Sequence, residues 1–323
     1  MRHQMRNNVF VTIIAAISLL AVGCDRGGKS QPQGTSSSKP QIALVMKSLA
    51  NEFFKTMEKG AKDHQKQHAA EYDLIANGIR DEQDVATQNN LVEQMIAKKV
   101  DAIVLAPADS KALVPVCKRA IDAGIVVINI DNKLDDAALK EKGITVPFVG
   151  PDNRLGARLA GEYLAKKLQK GDPVAIIEGL RGAFNAEQRR LGFEDAMKTA
   201  EMNIVTSQSA RWETEEAVKI VGPIILAQPN LKALLCANDS MALGAIAALK
   251  AANKTGQIQV IGFDNISAVQ QLIKDGRMLC TVDQHGDQIA VYGIQYAMEI
   301  LQKKTSPADR QTPVDLITAA NLK

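Results

Sequence analysis

Leu231-Lys-Ala-Leu-Leu-Cys-Ala-Asn238-Asp239-Ser-Met-Ala-Leu-Gly-Ala-Ile-Ala-Ala-Leu249 is followed by Ile258-Gln-Val-Ile-Gly262-Phe263-Asp264-Asn265. The first apolar run has the length of a strand and stops at two polar residues that open an alanine-rich helix. The second run stops at Asp264. Polar side chains at the carboxyl ends of neighbouring buried strands are where open α/β sheets hold ligands.

The same device recurs along the chain. Strands are predicted at Gln41–Met46, Tyr72–Ala76, Ala102–Ala106, Ile125–Ile130, Val174–Glu178, Ile204–Ser207, Met278–Asp283 and Val314–Thr318. Helical patterns separate most of them, which implies parallel pairing and right-handed crossovers. The runs are almost continuously apolar, as in sheets covered on both faces. A length of 323 residues suits about two domains, and the pattern restarts after Val146-Pro-Phe-Val-Gly150. The expected class is α/β, with two doubly wound parallel-sheet lobes.

The first residues read as an export signal. Arg2, His3 and Arg6 precede an apolar run, Val9 to Val22, that is too short for a comfortable membrane span. Ala21-Val22-Gly23-Cys24 resembles a bacterial lipoprotein box, which implies a signal peptide over 1–23 and lipidation of Cys24. Residues 24–39, rich in Gly, Ser, Gln and Lys, read as a flexible tether. Asp25 directly after Cys24 resembles an inner-membrane retention cue.

Several function classes lose support. The net charge of +3 is small, and no basic block points to nucleic acid. No dinucleotide glycine pattern, Walker loop or nucleophile elbow is present, and Gly179-Leu-Arg-Gly182 reads as a tight strand-to-helix turn. No cysteine or histidine cluster has metal spacing, and no cofactor is expected. His64 and His68 read as an exposed helix face. Cys117, Cys236 and Cys280 read as small core residues. Asp239 reads as a helix-start carboxylate favoured by the macrodipole.

Taken together, Lys47-Ser-Leu-Ala-Asn51-Glu-Phe53-Phe54, Ala106-Pro107, Asp131-Asn132-Lys-Leu-Asp135, Val174-Ala-Ile-Ile-Glu178-Gly, Cys236-Ala-Asn238-Asp239-Ser-Met-Ala-Leu-Gly, Gly262-Phe-Asp264 and Val282-Asp-Gln284 resemble one family. It is the periplasmic sugar-binding proteins of the ribose/allose type, the substrate-binding proteins of ABC importers with the type I periplasmic-binding fold. The matches span residues 40–323 in the family's order. The allose-binding branch is the more similar, sharing the lysine, the alanine before proline and the run Glu187-Gln-Arg189-Arg190.

The resemblance implies two lobes joined by a three-crossing hinge. An N-terminal lobe would comprise 40–150 plus 286–313, and a C-terminal lobe 151–285 plus 314–323. A sugar presents apolar C–H faces and a rim of hydroxyls, which call for aromatic plates and for planar polar groups. Phe53, Phe54 and Trp212 match the family's stacking positions. Asn51, Asp131, Asn238, Asp264 and Gln284 match its hydroxyl ligands, with helix capping the competing role for Asn51 and Asn238. Lys47 and Arg189 join the site as charges that need buried partners, or else form surface ion pairs. Asn132 stands where the ribose type has arginine and the allose type glutamate. Glu187 stands where the ribose type has its other ligand arginine. These departures, with Ala106 leaving room, favour a hexose over ribose.

The function implied is capture of a monosaccharide by hinge closure and delivery to an importer permease, without chemistry on the sugar. The protein would be a monomer in the periplasm or at the cell surface, held to the membrane by its lipid. A ligand-binding sensor for a membrane receptor, or for a small furanosyl signal, is the alternative.

Overall fold

The computed structural model describes residues 39–305 and 307–322. The expected signal peptide, Cys24 and the tether up to residue 38 lie outside the described residues.

The first half of the chain lays down β1 (Gln41–Ser48), β2 (Asp73–Ile79), β3 (Ala102–Leu105), β4 (Val126–Ile130) and β5 (Phe148–Pro151). Between them run α1 (Glu52–Gln67), α2 (Val85–Lys98), α3 (Val114–Asp122) and α4 (Asp136–Glu141). The chain then passes to a second sheet through α5 (Asn153–Ala165). There it makes β6 (Pro173–Glu178), α6 (Phe184–Thr199), β7 (Asn203–Ser209), α7 (Thr214–Ala227) and β8 (Ala233–Cys236). It continues with α8 (Asp239–Ala251), β9 (Gln259–Ile261), α9 (Ser267–Lys274) and β10 (Cys280–Asp283). It returns as α10 (Gly286–Leu301) and β11 (Arg310–Thr312), then crosses again to β12 (Asp315–Thr318).

Two six-stranded sheets result, ordered β11-β5-β4-β3-β1-β2 and β12-β10-β9-β8-β6-β7. Without its sixth strand, each sheet has the order 2-1-3-4-5 within its own half, so the direction of winding reverses beside β1 and beside β6. Helix α10 packs on α1, β3 and β4, whereas α5 packs on α6, β10 and β12. We refer to these two halves as lobe 1 and lobe 2; the chain passes between them three times.

Pairing is parallel throughout except at β12, which runs antiparallel to β10. The chain reaches β12 from β11 through Pro313 and Val314 alone, with no helical crossover. The short elements β5, α4, α9 and β11 have no counterpart in the sequence reading. In β11 the reason is plain: Arg310-Gln311-Thr312 holds no apolar residue, and only pairing with β5 makes it a strand.

Caps explain where the helices begin. Asn51, Asp84, Asp135, Asp152 and Asn238 each accept a backbone N–H of the first turn that follows. The thiols of Cys117, Cys236 and Cys280 are buried and free, with β9 between the strands of the last two. The histidine pair departs from its expected role. The rings of His64 and His68 stack with centroids 4.2 Å apart, and His64 Nδ1 lies 2.8 Å from the Tyr72 hydroxyl. The helix face is therefore partly covered.

Asp239 is more than a helix-start charge. It is fully buried, accepts the Thr281 hydroxyl at 2.8 Å and accepts the Ile266 N–H at 3.1 Å. It thereby ties α8 to β10 and to the loop carrying Asp264. Burial, and then the neighbouring Asp264, push its carboxyl well above the usual range. Asp239→Ala leaves two buried donors without acceptors and is expected to cost roughly 2–4 kcal/mol of stability by urea unfolding. A loss below about 0.5 kcal/mol would show that water replaces the carboxylate.

Candidate ligand-binding site

The loops at the carboxyl ends of the strands converge on one narrow cavity between the lobes. Lobe 1 contributes Lys47 from β1, Asn51, Phe53 and Phe54 from the start of α1, Glu82 from the β2–α2 loop, and Asp131 after β4. Lobe 2 contributes Asn185 and Arg189 from α6, Trp212 before α7, Asn238 after β8, Asp264 after β9, and Gln284 after β10.

Ten of the twelve residues picked from sequence line this cavity. Asn132 and Glu187 do not. Asn132 is fully buried behind Asp131, donating to Pro107 O at 2.9 Å and accepting the Asn185 N–H at 3.1 Å. Glu187 lies off the face of α6 that carries Asn185 and Arg189, which are four residues apart. It lines a separate, wider recess with Glu178, Arg181 and Arg190, where Glu178 is already paired with Arg181. Glu82 and Asn185 were missed. Neither belongs to a motif that carried the family resemblance: Glu82 stands in the loop after β2 and Asn185 in the first turn of α6.

Charge pairing is local to each lobe. In lobe 1, Lys47 Nζ stands 3.4 Å from Glu82 Oε2 and 3.6 Å from Asp131 Oδ2, and Asn51 Nδ2 donates to Glu82 Oε1 at 3.3 Å. Burial opposes the charge on Lys47, but Glu82 and Asp131 outweigh it and hold the ammonium above its usual range. Burial raises Glu82. In lobe 2, Arg189 donates to Asn153 Oδ1 and Ala237 O, both at 2.8 Å, and to Asp264 Oδ1 at 3.4 Å. Gln284 Nε2 donates to the same Asp264 oxygen at 2.7 Å. Burial lifts Asp264 to about 7, against the pull of Arg189 and Gln284.

Seven buried side-chain nitrogen or oxygen atoms among the described residues have no hydrogen-bond partner. Five of them belong to residues lining this cavity: Glu82 Oε2, Asp131 Oδ2, Asn185 Oδ1, Gln284 Oε1 and Trp212 Nε1. Buried polar atoms are rarely left unpaired, so their concentration here marks where a polar ligand is read. Four are acceptors and one is a donor, a set suited to a molecule rich in O–H groups. Both cations already face the site's own carboxylates, which favours a neutral ligand.

The aromatics come from opposite lobes. Phe53 and Phe54 meet edge to face at 5.1 Å, and Trp212 has Lys47 and Arg189 each 5.5 Å from its ring. Glycines make room for them. A Cβ on Gly179 would enter the six-membered ring of Trp212, and one on Gly286 would press on the ring of Phe53. Backbone strain also collects here, since Asp131 (φ 62), Trp212 (φ 72) and Asp264 (φ 120) are all non-glycine residues at positive φ. The caps Asn51 and Asn238 do double duty: each uses its oxygen on its helix while its side chain lines the cavity.

Two outcomes follow. Trp212 is the sole tryptophan, so Gly179→Ala should shift the intrinsic emission to the red; an unchanged spectrum contradicts the contact. Asp264 has a folded value raised to about 7 from 3.8, so its contribution to stability is fully present near pH 4 and lost as pH rises through 7. Asp264→Asn should flatten the fall in unfolding free energy between pH 4 and 8; an unaltered slope would mean that the carboxyl titrates normally.

Comparison with known proteins agrees with this geometry. A family profile described as a periplasmic binding protein domain matches residues 42–305. A "D-ribose/D-allose-binding protein" of Pseudomonas aeruginosa is 56% identical over 285 residues, covering 87% of this chain and 89% of the relative. A solved ABC transporter solute-binding protein from Burkholderia multivorans, its unknown ligand built as α-D-erythrofuranose, is also 56% identical. It superposes with a TM-score of 0.85, covering 87% of this chain and all of the other. Another from Actinobacillus succinogenes, with bound D-allose, is 38% identical with a TM-score of 0.83, covering 87% and 98%. These relatives are sugar-binding transport proteins rather than enzymes. Fold, cavity and these likenesses together place this chain in the periplasmic binding protein family, among the ABC sugar-binding proteins of the ribose/allose type.

Proposed function

We propose that the cavity holds one neutral monosaccharide, that the lobes close over it, and that the protein delivers it to the permease of an ABC importer. The observation that carries this reading is the convergence on one space, flanked by Phe53, Phe54 and Trp212, of five buried polar atoms without a hydrogen-bond partner, two of which, Glu82 Oε2 and Asp131 Oδ2, meet Lys47 only at ion-pair distance. Asp131, Glu82 and Gln284 accept hydroxyl hydrogens, Trp212 Nε1 donates to a ring oxygen or hydroxyl, and the aromatic groups meet apolar C–H faces. Asp264 joins as a further acceptor when ionised.

The finer reading is a hexose of the allose type. Its support comes from relatives: the allose-bound solved structure, and the relative named for both allose and ribose. Room beside Ala106 adds little, because Ala106 is fully buried and does not line the cavity. Calorimetry with D-allose, D-ribose, other aldoses and polyols tests both levels. The expected result is binding of at least one monosaccharide, D-allose more tightly than D-ribose. No heat with any of them sinks the function, and a reversed order sinks only the hexose. Asp264→Asn should weaken binding about tenfold to a hundredfold, the scale of a charged hydrogen bond.

We also infer that Cys24 carries the lipid that tethers a monomeric head outside the cytoplasm. Cys24→Ser should move the protein from the membrane to the soluble fraction of a spheroplast preparation. Continued membrane association would refute the anchor.

A further inference from the structure

Three hydrogen bonds that cross the cleft share one form: a side chain of lobe 1 accepts a first-turn N–H of a helix in lobe 2. Helix α6 begins at Ala183, which has no side-chain oxygen to offer. Its Phe184 N–H donates instead to Ser110 Oγ at 3.0 Å, and its Asn185 N–H donates to Asn132 Oδ1 at 3.1 Å. Helix α9 begins at Ile266, again without a capping side chain. Its Ser267 N–H donates to Glu52 Oε1 at 2.7 Å.

We propose that lobe closure is held by capping in trans, with Ser110, Asn132 and Glu52 as positioning residues for ligand retention. When the lobes part, these N–H groups lose their protein acceptors and turn to water. When the lobes meet, each helix gains the cap that its own sequence lacks, and α9 gains a carboxylate at its positive end. The latch is threaded through the cavity residues. Glu52 sits between Asn51 and Phe53, Asn132 follows Asp131, and Asn185 lines the cavity with its side chain while its N–H is the one capped. A ligand that orders Asn51, Asp131 and Asn185 orders the latch with them. This assigns Asn132 a role at the lobe seam, consistent with both ends of its amide being engaged away from the cavity.

The inference rests on the proposed function for the identity of the ligand and for the opening and closing of the lobes. The test uses dyes on the two lobes and single-molecule energy transfer, with D-allose and D-ribose as probes. Ser110→Ala and Glu52→Ala, neither of them at the cavity, should each lower the closed fraction. Each should also raise Kd about threefold to tenfold, through a faster koff at unchanged kon. Ala183→Ser supplies a cap in cis; it should raise the melting temperature of the sugar-free protein and still lower the closed fraction. Closed fraction and koff unchanged in Ser110→Ala and Glu52→Ala, while Asp264→Asn loses the sugar, would overturn the latch and leave the sugar site intact. Absence of sugar binding by the parent protein would count against the functional reading instead. The closed fraction of the sugar-free chain would then decide the latch: lowered in both variants it stands, unchanged it falls.

Discussion

Burying charge is the constraint on which this structure depends. Lys47, Glu82, Asp131, Arg189 and Asp264 are all nearly inaccessible to solvent. An unpaired charge in such a place is prohibitive, and removing one partner of a buried pair strands the other. The chain meets the constraint within each lobe. Lys47 faces Glu82 and Asp131, all of lobe 1, while Arg189 faces Asp264, Asn153 and Ala237, all of lobe 2. Among the described residues, parting the lobes therefore separates no ion pair. The hydrogen bonds that cross the seam join backbone N–H groups, three of them at helix ends and one from Ser110 to Gly182 O, to neutral or carboxylate oxygens, and water can satisfy them at modest cost. A hinge built this way opens without exposing the protein to the full penalty of an orphaned buried charge.

The same economy governs the ligand. With both cations matched inside the protein, what remains in the cavity is a set of acceptors and a single indole donor. Those groups are already held in place. Asp264 sits at φ 120, a conformation costly for a residue with a side chain, and Asp239 pins the adjoining loop through Ile266 and Thr281. Trp212 lies against Gly179, and Phe53 against Gly286. Strain and tight packing at the site are offset by the buried sheets behind it, so little ordering is left for the ligand to impose.

Family membership follows from a match over most of the chain. The cavity's own atoms favour a neutral polyhydroxyl ligand. Which sugar fits best depends on the spacing of Glu82, Asp131, Asn185 and Gln284 around a ring.

By itself the sequence determined the alternation of buried strands and helices, the two-lobed α/β architecture, and ten of the residues that line the cavity. The architecture was legible because strand termini are marked locally, where an apolar run ends and Asn238 or Asp264 follows; the ten residues came from the resemblance to the sugar-binding family. Glu82 and Asn185 escaped because neither belongs to a motif that carried the resemblance; one lies in a polar turn after β2 and the other inside α6. The tertiary structure alone showed that Asn132 and Glu187 stand outside the cavity, since helix phase and the turn after Asp131 aim neighbouring residues in different directions. It alone made a strand of β11, which has no apolar residue and exists by pairing with β5. It alone revealed helices capped from the opposite lobe, because a missing cap at Ala183 or Ile266 is a local fact, whereas the acceptor that answers it is distant in the chain.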